Sequence, residues 1–306
     1  MRVFSRRIMT AEILDGKMCG SKIEQGLESR ISNLKSQNIQ PHLVVIMVGN
    51  DPASEVYVAA KQRACERLEL RSTLVKLPKD CNPEELIALV SEYANNPDVN
   101  GILVQSPLPH GHDELKITNL IPPEKDVDGF NSTNLGKIIQ GNTTGLLPCT
   151  PAGVMELLSW GNVNLQGMKA VVIGRSRIVG MPLALLLAQK GVDATVTLAH
   201  SKSNKIESIV KDSDLVIAAV GIPNLVKSEW IKAGAIIIDV GVNRVDDESK
   251  EKGYFLCGDV SADAVNVAGK ITPVPGGVGP MTIAMLMSNT VLATEHQYNS
   301  KGGKNA

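Results

Sequence analysis

The chain has 306 residues, 43% of them hydrophobic, which exceeds one small core and suits two domains of about 150 residues each. Its 31 lysines and arginines against 32 aspartates and glutamates leave a formal charge of −1, so nucleic acid has no electrostatic claim as a partner and small molecules do. Five cysteines (Cys19, Cys65, Cys81, Cys149, Cys257), odd in number and without C-x-x-C spacing, indicate neither a disulfide framework nor a zinc site; no metal and a reducing, cytoplasmic setting are expected.

The first ten residues hold Arg2, Arg6 and Arg7, no acid and no apolar stretch of the secretory kind, which leaves a short organellar presequence or an extended bacterial start upstream of Met9. No apolar run approaches the roughly 18 residues of a membrane helix, so no membrane is expected. From residue 9 to about 142, helix-period segments alternate with short apolar runs, the pattern of α/β layering. Residues 16–37 carry apolar side chains at helical spacing, 42–48 form a buried-strand run, and 53–70 form a helix entered through Asn50-Asp-Pro52. Residues 72–77 predict a strand, 83–93 a helix and 101–105 a strand. Three strands separated by helices imply a parallel sheet, with its ligand crevice at the carboxyl ends of the strands. Residues 141–151, Gly-Asn-Thr-Thr-Gly-Leu-Leu-Pro-Cys-Thr-Pro, are dense in turn formers and serve as the linker; a helix over 152–160 comes next.

Residues 169–182, Lys-Ala-Val-Val-Ile-Gly-Arg-Ser-Arg-Ile-Val-Gly-Met-Pro, break an apolar strand at Gly174 and begin a helical pattern after Gly180. Such a turn presents backbone N–H groups to a phosphate. The match to a dinucleotide fingerprint is weak by itself, since Ser176 replaces the second glycine and Gly180 falls one residue late. The next βα elements of the chain strengthen it. After a helix over 181–190 and a strand over 193–198, the position where an NAD site holds a carboxylate reads Ala199-His200-Ser201-Lys202-Ser203. With no acid to repel a 2′-phosphate, and Arg175, Ser201 and Lys202 as donors, NADP fits better than NAD; the alternative is a polar, solvated strand end. Strands over 215–220, 235–241 and 270–273 continue the unit, a helix over 281–296 is apolar all round, and the chain frays from Tyr298.

Three segments of the first half carry candidate chemistry: Tyr57-Val-Ala-Ala-Lys61, Val104-Gln-Ser-Pro-Leu-Pro109 and Lys125-Asp-Val-Asp-Gly-Phe130. Tyr57 and Lys61 are four apart and share a helix face, while Gln105 stands at a strand's carboxyl end. A lysine facing such a crevice loses part of its charge by desolvation and can exchange protons. Taken singly, these residues read more readily as a surface lysine and a core tyrosine.

Residues 9–296 resemble the bifunctional methylenetetrahydrofolate dehydrogenase/cyclohydrolase family. The resemblance rests on six ordered segments: Asp51-Pro-Ala-Ser-Glu-Val-Tyr-Val-Ala-Ala-Lys61, Gly101-Ile-Leu-Val-Gln-Ser-Pro-Leu-Pro109, Lys125-Asp-Val-Asp-Gly-Phe130, Pro148-Cys-Thr-Pro-Ala-Gly153, Gly174-Arg-Ser-Arg-Ile-Val-Gly-Met-Pro182 and Ile271-Thr-Pro-Val-Pro-Gly-Gly-Val-Gly-Pro-Met-Thr282. It implies an α/β fold of two domains with a central cleft: a folate/catalytic domain over 9–148, joined by the C-terminal helix 281–296, and a Rossmann-type NADP-binding domain over 149–280. It further implies oxidation of 5,10-methylenetetrahydrofolate with NADP⁺, hydrolysis of the methenyl product to 10-formyltetrahydrofolate, a place in purine biosynthesis, and a homodimer formed through the Rossmann domains.

By position, Lys61 matches the catalytic lysine, Gln105 its partner, Tyr57 the residue against the folate ring and Asp128 the carboxylate that holds the pterin. Pro275, Gly276 and Gly279 match the loop lining the substrate. Gly174, Arg175, Ser176, Ser201, Val242 and Thr282 match cofactor contacts. Two departures stand out: Ser106 where leucine is commoner, and Glu69-Leu70 in place of a Gly-Ile pair, a change expected to touch only a helix cap. Three rivals remain: a dehydrogenase without cyclohydrolase activity, disfavoured by Lys61; a shikimate-dehydrogenase type, which gives the Lys125 and Pro273 segments no role; and a non-catalytic binding module, disfavoured by Lys61, Gln105 and Asp128 together.

Overall fold

A computed structural model describes residues 10–251 and 253–302; the basic stretch with Arg2, Arg6 and Arg7 lies outside the described residues. Those residues fall into two compact units, 20–152 with 282–302 and 10–19 with 153–281. Where the family resemblance implies a boundary at 148/149, the chain passes between units inside a helix, at Ala152 and Gly153. Residues 10–19 join the second unit through β1 (Glu12–Ile13), which pairs in parallel with Lys270–Ile271; so short a strand carries no periodicity of its own.

After β1 come α1 (Gly16–Ser36), β2 (His42–Val48), α2 (Pro52–Arg67), β3 (Arg71–Leu77), α3 (Pro83–Asn95), β4 (Gly101–Val104), α4 (Glu114–Leu120) and α5 (Ser132–Ile139). The sheet of the first unit runs β3-β2-β4, all parallel. Every side chain of β2 is buried, because helices cover both faces. Leu43, Val45 and Met47 pack with Leu27 and Ile31 of α1, Val58 of α2 and Met287 and Val291 of the C-terminal helix. Val44 and Ile46 turn the other way, onto Leu86 and Val90 of α3 and Ile117 of α4. At roughly 1.5–3 kcal/mol for each large apolar side chain taken from water, this alternation fixes the register of the sheet.

Helix α2 starts as its sequence demands: Asp51 accepts from the Ser54 N–H at 2.8 Å and Pro52 takes the first turn. It stops at Arg67, short of the predicted residue 70. Glu69 adopts φ +53°, and the Leu70 N–H returns to the Cys65 carbonyl at 2.9 Å. Glu69 therefore occupies the left-handed cap position that glycine favours, and it pairs with Lys35.

The second unit contains the rest of α6 (Cys149–Trp160), β5 (Lys169–Ile173), α7 (Gly180–Ala188), β6 (Thr195–Ala199), α8 (Ile206–Lys211), β7 (Leu215–Ala218), β8 (Ile236–Asp239), β9 (Asn243–Asp246), β10 (Tyr254–Cys257) and β11 (Lys270–Ile271). Its sheet runs β1-β11-β8-β7-β5-β6, parallel throughout, so the winding reverses between β5 and β7. That reversal is where open α/β sheets bind dinucleotides. Strand β6 begins at Thr195, later than predicted, because Asp193 sits in a turn at φ +60°. The antiparallel hairpin β9/β10, with the Arg244 guanidinium 4.1 Å above the Tyr254 ring, has no counterpart in the sequence pattern. The last helix, α9 (Val278–Gly302), runs past the predicted fraying point at Tyr298. No helix among the described residues is long and apolar enough to cross a membrane.

His42, at the start of β2, is buried with Nδ1 3.0 Å from the Asp98 carbonyl and Nε2 2.8 Å from the Thr73 hydroxyl. A carbonyl only accepts, so Nδ1 carries the proton and Nε2 takes the Thr73 hydrogen. Burial lowers the ring's pKa below its ordinary 6.5. The unfolded chain then binds the extra proton first, and stability falls as pH drops through 6.5. Thermal unfolding from pH 7 to pH 5 should show this decline, and His42→Gln should shrink it; an unchanged decline would clear His42 of the effect.

Candidate active site

Lys61 stands on α2 with 7% of its surface exposed, and its Nζ donates to Gln105 Oε1 at 2.9 Å. Gln105 follows β4, where its N–H donates to the Ile46 carbonyl at 2.8 Å and so continues the sheet's pairing by one residue. Its Nε2 donates to the Ser106 carbonyl at 2.7 Å, which turns Oε1 toward Lys61. Tyr57, one turn before Lys61 on α2, is 38% exposed, and burial of the rest raises its phenol pKa.

Asp128 reaches this place through a loop whose other residues are all engaged. The Ile102 N–H donates to the Lys125 carbonyl at 2.8 Å, laying residues 125–127 beside β4, and a Cβ on Gly101 would come within 2.5 Å of Val127. Lys125 donates from Nζ to the carbonyls of Ala94 at 2.8 Å and Asn96 at 2.7 Å, closing the C-terminal end of α3. Asp126 accepts from the N–H groups of Phe130 at 3.1 Å and Asn131 at 2.7 Å and from Asn134 Nδ2 at 2.9 Å. Burial still pushes its carboxyl up to about 7, those donors opposing the shift. Gly129 takes φ +78°, and a Cβ there would lie 2.4 Å from Leu147 C.

The segment around Cys149 closes the other side. The Cys149 N–H donates to the Asp128 carbonyl at 3.3 Å, its thiol to the Val127 carbonyl at 3.2 Å. Asn289, buried on α9, donates from Nδ2 to the carbonyls of Val127 at 2.9 Å and Leu147 at 2.8 Å. The sequence singles out neither Asn289 nor the separate duties of Lys125 and Asp126. Asn289 lies in a helical run with no local sign of a distant partner.

Burial lowers the Lys61 ammonium pKa, while Asp128 and Cys149 oppose that shift. Burial raises the Asp128 carboxyl pKa, with Lys61 opposing. Both groups are therefore pushed toward their neutral forms, the condition under which a lysine can take and return a proton near neutral pH. The Cys149 thiol is pushed well above its ordinary value, so it stays protonated and serves as a donor.

The second unit holds the other candidates. Gly174 adopts φ +117°, and a Cβ on it would come within 2.2 Å of the Ala219 carbonyl oxygen; one on Gly180 would come within 2.0 Å of the Gly174 oxygen. Such close backbone approach is what a phosphate turn needs. Ser176 Oγ accepts from the N–H groups of Val179 at 3.2 Å and Gly180 at 3.3 Å, so it braces the entry to α7. Ile173 faces Ala199 in register, and Arg175 and Ser201, both exposed, leave the same edge two residues beyond. The turn is held by the His200 N–H to Ser203 Oγ at 3.0 Å, and no acid stands in residues 199–203. These features fit a phosphorylated dinucleotide.

Val242 is exposed beyond β8. Pro275, Gly276 and Gly279 belong to this second unit and not to the unit of Lys61, and Gly276 takes φ +111°. Thr282, matched to the cofactor, belongs to the first unit, where its hydroxyl is 2.9 Å from that of Thr150.

Residues 14–128 match the family model described as tetrahydrofolate dehydrogenase/cyclohydrolase, catalytic domain, and residues 148–298 the one described as its NAD(P)-binding domain. The bifunctional protein FolD of Acetivibrio thermocellus is 48% identical over 295 residues, covering 96% of this chain and all of that protein. Among solved structures, the bifunctional FolD dehydrogenase/cyclohydrolase of Campylobacter jejuni aligns with a TM-score of 0.88 at 42% identity over 94% of this chain and 99% of that one. FolD of Trypanosoma brucei, solved with NADP cofactor and an inhibitor, aligns with a TM-score of 0.88 at 39% identity over 94% and 98%.

Asn289→Leu keeps the branching and heavy-atom count of the side chain but leaves the Leu147 carbonyl without its donor. An unsatisfied buried acceptor costs about 1–3 kcal/mol, so urea unfolding should report a loss of that size. A variant as stable as the parent would show that the clamp contributes nothing to the fold.

Proposed function

The chain belongs to the tetrahydrofolate dehydrogenase/cyclohydrolase family, and from that premise we propose how its own residues share the two reactions. The enzyme oxidises 5,10-methylenetetrahydrofolate to 5,10-methenyltetrahydrofolate with NADP⁺ and hydrolyses that product to 10-formyltetrahydrofolate. The observation that supports the residue roles best is the buried Lys61 ammonium bonded to Gln105 Oε1 in the company of Asp128.

NADP⁺, when bound, supplies a hydride acceptor at its nicotinamide C4. Hydrolysis places the greater demand on side chains: water adds to the cationic methenyl carbon and gives up one proton to solvent, and the hydroxyl of that adduct must then lose its proton while nitrogen gains one as the ring opens. Lys61 takes that hydroxyl proton at Nζ and returns it to nitrogen. Gln105 keeps the Lys61 side chain in place with an acceptor that cannot itself ionise. Asp128 accepts the two adjacent donors of the pterin's 2-aminopyrimidinone edge, a pairing a carboxylate makes in parallel. Tyr57 offers its ring face to the folate.

On the second unit, Gly174 and Gly180 let the backbone approach the pyrophosphate, and Arg175 with Ser201 receives the 2′-phosphate. The absence of acid in residues 199–203 supports NADP over NAD. A cytoplasmic homodimer joined through this unit, supplying formyl groups to purine biosynthesis, completes the proposal; the family resemblance supports it.

Lys61→Met keeps most of the side-chain length and removes every exchangeable proton. Methenyltetrahydrofolate hydrolysis, followed by its own absorbance and corrected for the spontaneous reaction, should fall by about 10²–10⁴-fold. NADPH formation from methylenetetrahydrofolate should fall less, because its loss reflects only poorer positioning. Hydrolysis at the parent rate would remove Lys61 from catalysis.

Arg175→Ala should raise the KM for NADP⁺ well above any change for NAD⁺, by roughly 1.5–3 kcal/mol for a charged hydrogen bond. Equal losses with the two cofactors would refute the 2′-phosphate assignment.

A further inference from the structure

Two buried carboxylates beneath the carboxyl edge of the second unit's sheet take no part in the roles above. Asp259 is fully buried, and its Oδ2 accepts from the N–H groups of Val220 at 2.7 Å and Gly221 at 3.0 Å. Its Oδ1 accepts from the Ile222 N–H and from Asn243 Nδ2, both at 2.9 Å. Asp239, at the end of β8, holds Asp259 in turn: its Oδ1 accepts from the Asp259 N–H at 2.9 Å and the Gly241 N–H at 3.0 Å, and its Oδ2 from the Val260 N–H at 2.9 Å. The Asp239 N–H donates to Thr272 Oγ1 at 2.8 Å. There is no slack around the pair. A Cβ on Gly241 would lie 2.2 Å from Asp259 Oδ1, and one on Gly258 would lie 1.8 Å from Asp239 Oδ2.

The segment held this way borders the nucleotide turn. The Ala219 N–H donates to the Ile173 carbonyl at 2.8 Å, and Gly174 packs against the Ala219 oxygen at the reversal between β5 and β7. Three successive N–H groups after a strand form a concavity that would otherwise attract an anion. Here Asp259 fills it from below. The N–H groups of residues 220–222 are thus spent inside the protein, and Ile222, 50% exposed, projects an apolar side chain from the held segment.

We propose that Asp259 is a positioning residue of the NADP⁺ site: by filling the turn after β7 it withholds those N–H groups from the ligand's phosphates and fixes residues 220–222 as a preformed apolar wall beside Gly174. The proposal rests on NADP⁺ binding by this unit. Asp239 sets the height of Asp259 and acts through it. Preforming the wall removes its ordering cost from the binding step.

The test is Asp259→Asn, whose amide turns one oxygen into a donor facing N–H groups that have lost their acceptor. Titration calorimetry with NADP⁺ should show a Kd at least tenfold weaker than the parent's. Hydrolysis of methenyltetrahydrofolate, whose proton-handling residues Lys61 and Gln105 belong to the other unit, should stay within twofold. A purely structural role would lower both or neither. A folded Asp259→Asn protein with the parent Kd overturns the proposal. If that variant loses both activities through misfolding, Asn243→Ala decides, since it removes one of the four bonds to Asp259 and leaves the carboxylate in place. A Kd at least threefold weaker with parent hydrolysis supports the wall; the parent Kd overturns it. A parent protein that bound no NADP⁺ would instead refute the functional reading on which the proposal stands.

Discussion

Taking the Lys61 ammonium out of water is costly, and the architecture of the first unit is arranged to make that burial tolerable. A lysine with so little exposure needs an acceptor at bonding distance and a counter-charge nearby, or it sheds its proton or drags water inward. Gln105 supplies the acceptor because β2 and β4 pair in parallel and leave residue 105 at the sheet's carboxyl edge, level with the middle of α2. Asp128 supplies the counter-charge. It arrives there only because residues 125–127 lie alongside β4 and because Gly101 leaves room for Val127. The buried lysine thus depends on contacts made by separate stretches of chain.

Both units solve the same problem in the same way. Loops at the carboxyl edge of a parallel sheet must be held in shape, yet their backbone donors have no strand to pair with. Buried aspartates accept those N–H groups: Asp126 for residues 130 and 131, Asp239 for 241, 259 and 260, Asp259 for 220–222. Burial raises the pKa of Asp126 and Asp239, to about 7 and about 6, and the donors they satisfy oppose the rise. Each carboxylate shapes a loop through bonds to backbone donors. In the Lys125-Asp-Val-Asp-Gly run, three charged residues so close in sequence divide the work: Lys125 closes a helix end, Asp126 folds the loop, and Asp128 is left partly exposed beside Lys61.

Much of this is legible in the sequence because its causes are local. The apolar run of β2 can be placed to the residue, since a strand buried on both faces admits nothing polar between His42 and the glycine that ends it. Tyr57 and Lys61 share a face because 3.6 residues make a turn, and Asp51-Pro52 announces the start of α2 by its capping chemistry. The glycines at 174 and 180 reveal the tight turn between β5 and α7, for a close backbone approach leaves no room for a Cβ. Where local signals are weak the pattern misleads or falls silent: α2 ends early at a left-handed glutamate, and α4, α5 and the β9/β10 hairpin carry no mark in it.

The sequence by itself therefore determined the long buried strands, most of the helices between them, and the residue types waiting at strand ends. The tertiary structure alone decided which of those residues meet. Strand β1 finds β11 across more than half the chain, Asn289 reaches back to the carbonyls of Val127 and Leu147, and Asp259 is aimed at residues 220–222. Periodicity and capping are settled within a turn or two of backbone, so composition records them. A buried donor takes whichever acceptor packing delivers, and that partner is chosen only when distant segments close around a common core.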